Sequence, residues 1–353
     1  MTRWRVAGTQ LPEGAEASWW IADGILHDTP VADAQDLPGR WMLPGLVDAH
    51  CHLTLIGGET GPVPAPPEHV TALLAELRAS GVLALRDTGA PDDTAIRLSL
   101  EGADGIDVVA CGRFLAARGR YFPGVYLPVT GEELPAAATA ELAAGATWVK
   151  LVADFPPQGR IGAMPEPSFD IGDVRRLVDA VHAAGGRVAA HVTLPIAREL
   201  VEAGVDTIEH GTGLDEGTLQ LMAQRGGAWT PTLSAVLAPV PLGAPAEWAT
   251  RKAERVELMQ RLVPQAQRIG VPILTGSDVV GTVAGEVARL VEVGLPPAAA
   301  LAAATTSARS YLGLPALSAG SPADLVTYDA DPRDDPEVLR HPAAVVSRGR
   351  RVR

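Results

Sequence analysis

Short apolar runs recur along most of this chain, near 46–50, 82–87, 106–111, 146–152, 187–191, 205–210, 227–231 and 271–277. Between them, apolar residues return every three or four positions in 68–80, 171–185, 194–204 and 215–226, the spacing of an amphipathic helix with one buried face. Runs that are apolar throughout behave as strands covered on both sides, so the repeating unit reads as strand, crossover helix, parallel strand. Gly81, Gly145, Gly185, Gly204, Gly226 and Gly270 stand where a helix hands over to the next strand, as helix-terminating glycines do. Eight such units predict an α/β protein with a TIM-like (β/α)8 barrel over 45–315. At 353 residues the chain has room for one appendage.

The two ends are patterned differently. Residues 1–44 and 316–353 hold short alternating runs, among them SWWIADGILHD, ADLVTYDADP and AAVVSRGRRV, broken by Gly, Pro and Asp. They predict a small β-sandwich domain formed by both termini, because neither piece could bury a face by itself.

Composition removes several classes of function. With 29 basic against 42 acidic side chains, the net charge of −13 disfavours nucleic acid, whose phosphates require a basic footprint. The longest uncharged stretch, 226–246, carries Pro231, Pro239, Pro241 and Pro245, too many for a membrane-spanning helix, and it reads as a loop. The opening residues lack the apolar core of a secretion signal, and two cysteines make no disulfide framework. A cytoplasmic protein with a small-molecule substrate, and neither nucleic acid nor membrane as partner, is the expectation.

His50 and His52 end the first barrel strand, and the period-two alternation of a strand aims both rings at one face while Cys51 points away as a small core residue. Lys150, His191, His210 and Asp278 each fall at or just past the end of another apolar run. Active sites of such barrels lie at the C-terminal ends of the strands, so these six groups converge on one mouth. Burying four imidazoles, a carboxylate and a lysine together is costly unless they bind a charge, which points to a metal. Lys150 stands out further because the chain has 27 arginines and only one other lysine, Lys252.

The segments PGLVDAHCHL, GATWVKLVAD, AAHVT, IEHG, LTGSD and GSPADLVTYDADP together resemble the amidohydrolase superfamily, nearest to its imidazolonepropionase-like and Xaa-Pro dipeptidase-like branch. The resemblance runs from about Leu43 to Pro332. It implies a distorted barrel with a β-sandwich and metal-dependent hydrolysis of a carbon–nitrogen bond. By matching motif, His50, His52 and Asp278 would hold one divalent ion, most simply zinc, and His191 and His210 a second. Lys150 would be carboxylated by CO2, since a carbamate offers two oxygen donors where an ammonium offers none. The water between the ions would be the nucleophile, with Asp278 as general acid and base. The substrate implied is an amide, in a dipeptide or an N-acyl amino acid, and barrels of this family often assemble, which admits a homo-oligomer.

Recognition must come from the loops, of which 53–67, 112–134 and 154–169 are long. Arg118, Arg120 and Tyr121 are the candidate substrate-binding residues, an arginine suiting a substrate carboxylate; Arg113, Tyr126 and Arg160 lie in the same loops. Asp87 reads as an acceptor for loop amides and Glu286 as a helix cap. Two other functions compete: a mononuclear cyclic-amide hydrolase or deaminase, against which Lys150 argues, and a non-catalytic scaffold, against which the full ligand set argues.

Overall fold

The computed structural model describes residues 2–59, 61–158, 164–240 and 246–353. The predicted strands and helices form close to the expected places. Strands Leu46–Cys51, Val82–Asp87, Trp148–Val152 and Thr207–His210 are buried at every position, as expected of parallel strands covered on both sides. Helices Pro67–Ala79, Ile171–Ala183, Ala197–Ala203 and Glu216–Arg225 separate them. Asp215 accepts from the Thr218 amide at 2.7 Å and starts the last of these, and Gly226 ends it at a φ of +73° that a side chain would disfavour.

The ring of strands is not one continuous ladder. One parallel arc runs Asp107–Ala110, Val82–Asp87, Leu46–Cys51; a second runs Tyr126–Val129, Phe114–Ala117, Trp148–Val152, Arg187–Val192, Thr207–His210, Ala228–Thr230. The expected eighth strand, 271–277, spans the gap through isolated parallel bridges, Trp229 to Ile273 and Cys51 to Asp278. Pro272 has no N–H to donate there. Backbone bonds still tie the segment to both neighbours, Leu274 N to Trp229 O at 2.9 Å and Asp278 N to His50 O at 2.8 Å. The barrel expected from the sequence is therefore open in its hydrogen bonding, though its order and direction hold. Loop 112–134 is also more regular than expected. It contributes two strands to the second arc, with Pro128 on the edge strand, where a missing donor is tolerated.

Both ends of the chain meet in one eight-stranded sheet, in which Trp41–Pro44 pairs antiparallel with Leu325–Tyr328. The two termini thus build one β-sheet domain as expected, its strands joined in a single hydrogen-bonded sheet whose end strand Ile25–His27 bonds back to residues 321–323. Leu43, Val326, Tyr328 and Val345 belong to the large core shared with the barrel helices, whereas their neighbours Met42, Leu325 and Val346 join Val6, Ile21 and Leu26 in a cluster of the sheet's own. Period-two alternation thus sends successive residues of these strands into two different cores. Among the described residues no helix is long and apolar enough to cross a membrane.

Candidate metal centre

His50 and His52 project from the end of the first barrel strand into a cavity of about 900 Å³, and Lys150, His191, His210 and Asp278 line the same cavity. Cys51 packs the other way, among Leu53, Leu74 and Leu85. Ring centroids lie 5.2 Å apart for His50 and His52, 5.2 Å for His50 and His210, and 4.5 Å for His191 and His210. One donor atom from each of His50, His52 and Asp278 falls within 4.8 Å of the others, the spacing of groups around a single ion. Five of the six groups come from strands or strand ends, and the sixth, Asp278, is delivered by the bridging segment.

The hydrogen bonds behind the rings decide which nitrogen faces the cavity. Nδ1 of His50 meets Glu209 Oε2 at 2.6 Å, Nδ1 of His52 meets the Gly89 carbonyl at 2.9 Å, and Nδ1 of His210 meets Thr232 Oγ1 at 2.6 Å. Thr232 donates its own hydroxyl proton to the Pro231 carbonyl, so it accepts from His210. Each Nδ1 therefore carries the proton, and each Nε2 presents a lone pair. Three imidazoles oriented in this way, beside a carboxylate, are a fitting donor set for a divalent cation such as zinc.

Glu209 and Arg86 form the floor of the site, and neither was singled out in the sequence. Arg86 reaches from the second strand to Glu209 Oε1 at 2.7 Å, to Thr207 Oγ1 at 3.0 Å and to the Ala49 carbonyl at 2.7 Å. Alternation should send Glu209 and His210 to opposite faces. A left-handed backbone at His210, φ +67°, returns its ring to the cavity, and a similar turn at Asp278, φ +55°, does the same for its carboxylate. The signal in the sequence was the presence of charge in apolar runs, LALRD and TIEH, without an indication of the partner.

Burial, with the positive charge of Lys150 among the further causes, lowers all four histidines; His52 and His191 fall to about 3. They are neutral near pH 7, the form that ligates metal. Burial also lowers Lys150 and raises Asp278. Around the cavity, neutral His50 meets Glu209, His52 stands 3.5 Å from Asp278 and His191 3.9 Å from Asp154, while Arg86 and Glu209 form an ion pair; among the described residues Lys150 is in no ion pair. Burial pushes Glu209 up, but Arg86 and Lys150 outweigh it and the net shift is downward.

Of the loop candidates, Tyr121 lines the cavity and packs its ring 5.0 Å from Phe114 and 4.9 Å from Phe155. Arg118 is exposed, 3.9 Å from Glu133, and Arg120 pairs with Glu166 at 2.8 Å; neither is among the cavity-lining residues described. Arg113 is held by Glu141, and Arg160 lies outside the described residues. Asp87 accepts from the amides of Leu53 and Gly89, and Glu286 from those of Leu233 and Ser234, the structural duties expected of both.

A sequence profile described as the amidohydrolase family matches residues 41–352. A Mycobacterium tuberculosis protein, uncharacterized protein Rv2915c, is 38% identical over 361 residues, covering 99% of this chain and 95% of that one. Among solved structures, a Xaa-Pro dipeptidase with bound methionine in the active site superposes with a TM-score of 0.82 at 22% identity, over 99% of both chains. A prolidase complexed with N-methylphosphonate-L-proline gives 0.81 at 24% identity, over 100% of both.

Proposed function

Because the chain belongs to the amidohydrolase family, we propose that it is a binuclear metal-dependent hydrolase cleaving the amide of a dipeptide or an N-acyl amino acid. The observation that carries this reading is the set of three imidazoles with Nδ1 engaged and Nε2 facing the volume that Asp278 borders. In this reading His50, His52 and Asp278 hold one ion, His191 and His210 the other, and Lys150 joins them as its carbamate. The barrel of 45–315 carries the chemistry, and 1–44 with 316–353 form the appended β-domain.

When bound, the ions would polarise the scissile carbonyl and lower the pKa of water to near neutrality. The remaining work falls to the side chains. The lowered pKa of Lys150 leaves more neutral amine for Nζ to form an N–C bond with CO2 and release a proton, and among the described residues no ion pair competes for the nitrogen. Asp278 takes a proton from the attacking water onto its carboxylate, a transfer that its burial-raised pKa favours, and passes it to the leaving amine nitrogen as the C–N bond breaks. Glu209 keeps the His50 ring in one tautomer throughout. The aromatic wall of Tyr121, Phe122 and Phe155 excludes water from one side of the cavity.

Metal analysis combined with a substrate panel tests this. Purified protein should hold about two zinc or similar ions per chain, lose turnover on chelation and regain it on metal addition. Asp278→Asn should keep much of the metal and lose about 10²- to 10⁴-fold in kcat. One ion per chain, with full activity in Lys150→Ala, would instead indicate the mononuclear cyclic-amide hydrolase or deaminase chemistry.

A further inference from the structure

The long helix Ala246–Ile269, which follows the strand Ala228–Thr230 and leads into segment 271–277, lines the cavity along with the aromatic residues. Trp248, Arg251, Arg255 and Leu258 all line the cavity, at spacings of three, four and three residues, which place them along one stripe of the helix. Trp248 is 42% exposed, unusual for so large an apolar ring. Arg255 is half-buried and uses one N–H to reach the Arg251 carbonyl at 3.3 Å. Neither arginine is in an ion pair among the described residues, whereas Arg113, Arg118 and Arg120, on the loops, are each matched to a glutamate. Glu254 also borders the cavity, so the stripe presents two guanidiniums against one carboxylate, a single excess positive charge.

We infer that Arg251 and Arg255 are the specificity-determining residues for a substrate with a single free carboxylate, gripping that carboxylate while the apolar remainder lies between Trp248 and the Tyr121–Phe155 wall. This rests on the hydrolase reading and deepens it. Two guanidiniums one helical turn apart can offer paired N–H donors to the two oxygens of a carboxylate. The single excess positive charge of the stripe disfavours a second carboxylate on the substrate, and the aromatic side chains along the cavity favour apolar substituents. The substrate class is thus a hydrophobic dipeptide or N-acyl amino acid with one free carboxylate, in preference to its amide or ester.

Kinetics with a hydrophobic dipeptide and its C-terminal carboxamide, on wild type, Arg251→Gln and Arg255→Gln, test the assignment. Calorimetric binding of N-acetyl-L-phenylalanine and of its carboxamide to the same three proteins supplies a second readout. Wild type should prefer the acids, and each variant should raise KM for the acid about tenfold to a hundredfold, with little change in kcat or for the carboxamide. The Kd of N-acetyl-L-phenylalanine should move in parallel, and Arg255→Lys should recover part of the loss. An equal rise for acid and carboxamide, or a wild type without preference for the acid, would overturn the inference. If no amide is hydrolysed, the hydrolase reading fails while calorimetry still decides the arginines: acid preference lost in the variants upholds them, and its absence from wild type rejects them.

Discussion

A carboxylate with no solvent exposure stays ionised only beside cations or donors, and Glu209 has both. It accepts from Arg86 and from Thr207, the latter at 2.5 Å, and holds His50 at 2.6 Å. Replacing its charge should therefore be felt at the metal. Glu209→Gln is expected to weaken zinc binding about 10- to 100-fold in chelator competition, because the partner of a ligating histidine sets its orientation and basicity. It also leaves Arg86 buried without its counter-charge, a loss of about 3–5 kcal/mol in a denaturant melt. Zinc affinity equal to wild type would remove Glu209 from the site. The six proposed ligands were legible one by one, through position at strand ends. Glu209 and Arg86 were not, because their meaning lies in a contact between residues 123 positions apart.

At the scale of elements, the segment 271–278 decides whether the ring of strands can close around the site. It runs so near the first strand that a Cβ on Gly276 would sit 2.5 Å from the Cβ of His50 and 2.6 Å from Thr230 Cγ2. These atoms lie close to the backbone and have little room to yield. Gly276→Ala should displace His50, costing about 1–3 kcal/mol in a thermal or denaturant melt and lowering metal affinity with it. At Gly227 the nearest atom is 3.4 Å away, so Gly227→Ala serves as a control expected to retain the metal. The strand and helix spans were readable from periodicity, since that signal is local. The break in the ladder was hidden, because the ladder depends on how a proline-bearing segment meets two strands distant in sequence.

At the scale of the whole molecule, stability with pH should show two opposing limbs when metal is chelated. Burial holds the four histidines below their ordinary 6.5, so below that pH the unfolded chain binds protons the folded one refuses, and stability falls with acid. Burial raises Asp48 to about 6 and Asp87 and Glu286 to about 7, so the folded chain retains protons that the unfolded chain has lost, and their contribution fades as pH rises through 6 to 7. A maximum in Tm near pH 6.5 is expected, with a decline towards pH 8 that Glu286→Gln makes shallower. A decline unchanged in that variant would refute its share. By itself the sequence determined the order of strands and helices, the barrel class, the family and the strand ends at which chemistry collects, since each is written in local periodicity and motif. Tertiary structure alone decided that His210 and Asp278 turn inward on left-handed backbone, that Arg86 and Glu209 underlie the rings, that both chain ends share one sheet, and that the helix Ala246–Ile269 lines the cavity. Those outcomes depend on pairings across long stretches of chain, where the energy of burying a charge or closing a gap overrides what neighbouring residues prefer.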